Sequence, residues 1–201
     1  MIKTRKDLRF YLEEDRKRTL PNISSLRYCW LLLCGKEQAH AFRYIKAMRH
    51  LEYHLNNRGF YHTLAKVFYK IRVGRLGFRY NIEIQPNTCG YGLRLLHLSS
   101  GGVLLNAKRI GNYCGFNAGT LVGNKDSQDN RPIIGDYVGF GPGAKAFGKI
   151  TIGDNVFVAP NAVVAKDVPS NVIVGGVPAK VIKEREKRNA KYEESSYFHQ
   201  M

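Results

Sequence analysis

Two stretches decide the fold: IGNYCGFNAGTLV (110–122) and IGDYVGFGPGAKAFGKITIGDNVFVAPNAVV (134–164). In the first, Ile110, Phe116 and Val122 stand six residues apart. In the second, Ile134, Phe140, Ala146, Ile152, Val158 and Val164 do the same. A strand repeats every two residues and a helix every 3.6, so neither produces this period. Two residues before the anchors come small or β-branched residues: Cys114, Thr120, Val138, Ala144, Ile150, Val156 and Ala162. Turn-formers such as Gly111-Asn112, Gly135-Asp136, Gly141-Pro142 and Ala159-Pro160 follow the anchors. The physical solution is a triangular coil. Each unit makes one short flat strand and a corner, with the anchor inside the prism and the small residue fitting the corner. Three units close one turn, and stacked turns bury a continuous apolar column. The polar segment 123–132 keeps the phase between the two stretches, so it reads as a loop ejected from the prism.

Upstream the period changes. Leu8, Tyr11 and Leu12, then Leu26, Trp30 and Leu33, fall at helical spacing. Ala41, Tyr44, Ile45, Met48, Leu51 and Leu55 form a longer stripe, and Leu64, Val67, Phe68 and Ile71 another, read in part as packing. Pro21-Asn22, Gly35 and 56–59 break them, which predicts three or four helices. The expected organisation is a helical region over 1–77, the coil over 78–182 and a charged helix or tail over 183–201.

The chain has 201 residues, 44% hydrophobic and 24% charged, within the ordinary range for a globular protein. The longest apolar run, 28–34, is far short of the roughly 20 residues that span a bilayer. A cytoplasmic location is therefore expected. Net charge is +16, of which +12 lies in residues 1–80. Such a field favours anionic partners, unless it is simply a solvated basic face. The four cysteines lack metal-site spacing and read as free thiols; His50 and His54 lack a third ligand and read as surface residues. No metal is expected.

The repeat resembles that of the hexapeptide-repeat acyltransferases, and the resemblance covers about 78–183. It is carried by Glu83-Ile84-Gln85-Pro86, by 90–97 ending in Leu95-Leu96-His97, by Asp167-Val168-Pro169, and by the closing Gly175-Gly176-Val177-Pro178-Ala179-Lys180. Within that family the pattern is similar to the serine acetyltransferase branch, including surface-polysaccharide members such as colanic acid acetyltransferase. The resemblance implies a left-handed parallel β-helix preceded by a small helical domain. It implies acetyl-CoA as co-substrate, bound along the coil edge between subunits of a homotrimer. It makes His97 the general base that takes the acceptor's hydroxyl proton, a task suited to an imidazole near neutral pH. Glu83 becomes the carboxylate that orients the ring, and the Gly123 backbone N–H the oxyanion donor. Pro142, Gly143, Ala144 and Pro160 match pantetheine contacts, and Lys166 and Lys180 match positions that meet the CoA phosphates.

The acceptor positions depart from the serine enzymes. Leu96 stands where they carry an Asp that would pair with an ammonium, Gln85 replaces a His, and Arg131 replaces the His of the ejected loop. These departures point to a sugar hydroxyl in surface-polysaccharide biosynthesis, with serine as the alternative acceptor. A non-catalytic scaffold remains a reading from another class. The segment 60–80 interleaves aromatic and basic residues; it could be partly packing or an interfacial helix on an anionic membrane, and a nucleic-acid site is the least expected.

Overall fold

The anchors close into a triangular prism of parallel strands. The structure, a computed structural model, describes residues 1–186. Residues 187–201, most of the charged C-terminal segment, lie outside the described residues.

The first face holds β1 (Ile82–Ile84), β3 (Val103–Leu105), β6 (Leu121–Gly123), β9 (Lys145–Phe147) and β12 (Val163–Val164). The second holds β4 (Arg109–Ile110), β7 (Ile133–Ile134) and β10 (Thr151–Ile152). The third holds β2 (Arg94–Leu96), β5 (Gly115–Asn117), β8 (Gly139–Phe140), β11 (Phe157–Val158), β13 (Val172–Gly175) and β14 (Lys180–Glu184). Every pair is parallel except β13–β14, where the chain turns back over the last coil.

Register converts the six-residue period into three columns. Ile84, Leu105, Val122, Ala146 and Val164 stack on the first face. Cys89, Ile110, Ile134, Ile152 and Val168 stack on the second. Leu95, Phe116, Phe140, Val158 and Val174 stack on the third. All nine anchors read from the sequence are at 1% exposure or less. Burial of a Val, Ile, Leu or Phe contributes about 1.5–3 kcal/mol each, so these columns are the main source of stability.

Four helices precede the coil. Helix α1 (Arg5–Thr19) opens on a capping box between Thr4 and Asp7, and α2 (Ser25–Leu33) is capped by the Ser24 side chain. Helix α3 (Glu37–Leu55) buries Ala41, Tyr44, Ile45 and Met48 in one core with the coil. Helix α4 (Phe60–Tyr80) ends on Asn81 in the left-handed conformation, so the helix runs past the expected boundary at 77 and β1 follows at once. Two apolar stripes do not enter the core. Leu26, Trp30 and Leu33 on α2, and Leu64, Val67, Phe68 and Ile71 on α4, are each more than half exposed. Alpha-helical spacing shows that residues share a face; it does not show which way the face points.

A buried charge cluster joins helices to coil. Arg49 is fully buried and donates from Nε to Asp15 Oδ2 at 2.8 Å, and from one terminal nitrogen to Glu52 Oε2 at 3.0 Å and the Cys89 carbonyl at 2.9 Å. Its other terminal nitrogen reaches the Gly90 carbonyl at 2.5 Å. Asp15 in turn accepts from Leu93 N at 2.8 Å, and Glu52 from Asn87 N at 2.7 Å. Burial works against the Arg49 charge, yet Asp15 and Glu52 outweigh it and bind its proton more tightly.

His50 and His54 are not surface residues. His54 is buried between α3 and α4, its Nδ1 lies 2.9 Å from His62 Nδ1, and both His50 and His54 stack on Tyr69. One ring of the His54–His62 pair must donate and the other accept, so the contact holds one proton and resists a second. Burial, with neighbouring positive or titrating groups, depresses the pKa of His50 and His54, and likewise that of His40 against Tyr80. The unfolded chain therefore binds more protons than the folded one below the ordinary histidine value of about 6.5. Stability is complete above that value and falls as the pH drops through it toward the lower folded values. Urea midpoints measured at about pH 7.5 and 5.5 should decrease at the lower pH; equal midpoints would remove this coupling.

Cys29 and Cys34 are exposed free thiols, and burial pushes the Cys89 and Cys114 thiols up to about 12. Among the described residues no helix is long and apolar enough to cross a membrane.

Candidate active site

His97 follows β2 at the corner between the third and first faces. Its backbone is left-handed, with φ 56° and ψ 35°, and it caps a 3₁₀ turn at Leu98–Ser100. The passage from Leu96 to Leu104 is four residues longer than the equivalent passage from Asn117 to Leu121. These extra residues lift the chain out of the prism at His97. The next glycine is Gly101, beyond the turn. The turn is tied to α3 by the Ser99 hydroxyl donating to Glu37 Oε2 at 3.0 Å. His97 is exposed, and no hydrogen bond to its ring is present among the described residues. An exposed, unengaged imidazole on a fixed turn is free to meet a hydroxyl and to exchange a proton with it.

Below His97 the same corner repeats in every coil. Leu96, half-buried, is registered to Asn117, and the register carried down through Phe116–Phe140 and Phe140–Val158 brings Pro142 and Pro160 under His97. Gly119, Gly143 and Asn161 are all left-handed there, with φ 73°, 70° and 57°. Gly143 N donates to the Ala118 carbonyl at 2.8 Å, and Asn161 N to the Pro142 carbonyl at 2.9 Å. Ala144 is buried just inside this corner. The result is a strip with little side-chain bulk, into which an extended ligand could lie closely. At its end, Val163 N donates to the Gly176 carbonyl and Ala179 N to the Val163 carbonyl, which seats Lys180 beside the first face. Replacing Gly143 by Ala would put a Cβ into Asn161 Oδ1 at a positive φ. We expect it to destabilise the fold by roughly 1–3 kcal/mol, read as a lowered melting temperature. An unchanged melt would mean that this corner yields more easily than its hydrogen bonds imply.

The remaining residues gather at another corner, between the first and second faces. Gln85 follows β1, Gly123 ends β6 and is buried opposite Phe147, and Lys166 follows β12. The ejected loop leaves from this corner, as expected, and Arg131 closes it by donating from Nε to the Gln128 carbonyl at 2.7 Å. The first face separates the two corners by one short strand and its flanks, roughly 15 Å. Glu83 lies on that face, exposed, in a groove under α4. No hydrogen bond joins Glu83 to His97 among the described residues, so the expected orienting contact is not made within this chain. Sequence reasoning also passed over Ser99 and Glu37, whose bond is made between residues 62 apart in the chain.

Among the described residues there is no group of three or more His, Cys, Asp or Glu side chains placed to hold a metal ion.

No family model matches the chain. Serine acetyltransferase from Synechococcus elongatus is 36% identical over 104 residues, which are 50% of this chain and 42% of that protein. The chain spans about half the length of the curated relatives it matches. Among solved structures, serine acetyltransferase from Brucella abortus in complex with coenzyme A superposes with a TM-score of 0.68 at 26% identity. The match covers 92% of this chain and 71% of that one. Neisseria gonorrhoeae serine acetyltransferase in complex with serine gives a TM-score of 0.65 at 26% identity, covering 89% and 70%. In sequence and in fold, therefore, the chain is serine acetyltransferase-like: a left-handed hexapeptide-repeat β-helix with four helices before it.

Proposed function

We propose that the protein is an acetyl-CoA-dependent O-acetyltransferase. The observation that carries this is the exposed, unengaged His97 held on an outward turn above a strip of small residues. His97 accepts the proton of the acceptor hydroxyl as its oxygen attacks the thioester carbonyl. The C–S bond then breaks, and the imidazolium returns the proton to the CoA thiolate. Pro142, Gly143, Ala144 and Pro160 line the pantetheine path, with Lys180 at its end.

Gln85, Gly123, Arg131 and Lys166 sit at the other corner, so they join His97 only if a second copy presents that corner to it. This supports a homotrimer with sites between subunits. In such an assembly Gly123 N–H is the oxyanion donor, Lys166 meets the CoA phosphates, and Glu83 orients the imidazole.

For the acceptor, L-serine is the first reading, because the relatives and structures above are named serine acetyltransferases. This reverses the preference drawn from the acceptor motifs. A sugar hydroxyl is the second reading, and one observation favours it: Leu96, beside His97, offers no carboxylate to an ammonium group.

The deciding experiment is acetyl-CoA-dependent thiol release with L-serine, run beside a panel of free and nucleotide-linked sugars. Rapid release with serine alone establishes the first reading. Release only with a sugar moves the protein to the second. No release with any acceptor, while acetyl-CoA still binds, would favour the scaffold reading.

A further inference from the structure

Helix α4 is apolar on two sides. One side, with Val73, Leu76 and Gly77, packs toward α3 and the coil. The opposite side carries Leu64, Phe68 and Ile71, exposed at 57%, 57% and 52%. A helix apolar all round is normally buried all round. Helix α2 adds Leu26, Trp30 and Leu33, exposed at 86%, 60% and 86%. The two helices flank a groove floored by α3, with Leu33 and Phe68 on its walls and Arg43, Lys46 and Arg72 among its lining.

The charge on this surface selects its occupant. Helix α4 carries Lys66, Lys70, Arg72, Arg75 and Arg79 and no acidic residue; α2 carries Arg27 and likewise none. On a helical projection the exposed apolar stripe is bordered by Lys70 on one side and Arg72 and Arg79 on the other, and Arg75 continues it one turn beyond Ile71. A second copy docking face to same face would bring cations against cations, which disfavours a two-fold contact there. A nucleic acid would satisfy the charge and leave the aliphatic stripe in contact with water or phosphate. A bilayer with anionic headgroups satisfies both features, with apolar side chains in the acyl boundary and cations at the phosphates. We infer that the α2–α4 face is a docking surface for an anionic phospholipid membrane, on which the protein lies peripherally. This is independent of the acceptor, since neither helix contributes a residue of the candidate site.

The test is co-sedimentation of the full chain with vesicles of phosphatidylcholine, alone or mixed with phosphatidylglycerol. Binding should be strong only with the mixed vesicles and should weaken as salt rises. The double variant Phe68→Ser/Ile71→Ser should lower the vesicle affinity at least tenfold, as should Lys70→Glu/Arg72→Glu, each with an unchanged far-UV circular dichroism spectrum. These side chains are mostly exposed, so folding should survive, and the two variants remove different contributions to binding. Failure to sediment with either vesicle, or sedimentation that neither variant alters, overturns the inference. So does a fall in solution mass caused by Phe68→Ser/Ile71→Ser, which would assign the face to another copy of the chain. An oligonucleotide mobility shift tighter than vesicle binding would assign it to nucleic acid.

Discussion

His97→Asn should lower kcat for acetyl transfer by roughly 10²–10⁴-fold, the usual contribution of a positioned general base. Asn is the informative replacement because of the backbone. His97 has φ 56°, and this chain already fills left-handed positions with Asn at 22, 81, 87, 155, 161 and 171. Asn tolerates that conformation better than Ala, so the turn should form as before. An amide cannot take up the hydroxyl proton, so the chemistry is lost while the scaffold remains. The melting temperature should move little, and acetyl-CoA binding, measured by calorimetry, should stay within a few-fold. The strip formed by Pro142, Gly143 and Pro160 owes nothing to the imidazole. If His97→Asn keeps most of the rate, the proton goes elsewhere and the proposed mechanism fails. If rate and melting temperature fall together, the histidine is supporting the Leu98–Ser100 turn, and the loss of rate is then structural.

How much of this was legible in the sequence depended on continuity of phase. From Ile110 to Val122 and from Ile134 to Val164 each step is six, and there the columns follow from arithmetic alone. The first coil was not legible in the same way. Its anchors Ile84, Cys89, Leu95 and Leu105 are buried in the same columns, but the steps between them are uneven. The largest step is the one that contains His97. The feature that hides the repeat is thus the outward turn that exposes the histidine, and a functional insertion of this kind is where periodicity is expected to fail. Corner identity was equally hidden. Motif position groups Arg131 with His97 in function, yet the fold puts them at different edges of one face, because a coil of three strands has three corners. The direction of the α4 stripe was equally hidden. Leu64, Val67, Phe68 and Ile71 have the spacing of a core face, but Val73, Leu76 and Gly77 on the other side make the contacts. Which of two apolar faces is buried depends on what α3 and β1 present, and no local pattern records that.

The Asp15–Arg49–Glu52 cluster was wholly invisible in the sequence, and it leads to the second large effect. Arg49→Met should destabilise the protein by about 3–5 kcal/mol, because it strands two buried carboxylates without their cation. For a chain of this size that is a fall in melting temperature of roughly 6–20 °C. Volume is nearly kept, so a cavity cannot account for a loss of that size. Arg49→Lys tests the geometry separately. It keeps the charge, but the guanidinium here donates to Asp15, Glu52 and the carbonyls of Cys89 and Gly90 at once. An ammonium has three donors and no fixed fork, so at least one buried acceptor goes unmet, and the loss should fall between those of the wild type and Arg49→Met. Urea denaturation followed by circular dichroism gives all three values. The order wild type, Lys, Met is the expected result; Met equal to wild type would mean that the cluster adds nothing that packing does not. The cluster also bears on the site. Asp15 accepts from Leu93 N, immediately before β2, and β2 ends one residue before His97. Loosening that strand should disturb the His97 turn before the coil itself melts. Arg49→Lys should therefore lose acetyl transfer at temperatures where its circular dichroism is still native, with kcat falling and the pH profile keeping its wild-type shape. A shifted profile would instead place Arg49 in electrostatic contact with the base, which its complete burial among Asp15, Glu52 and two carbonyls argues against.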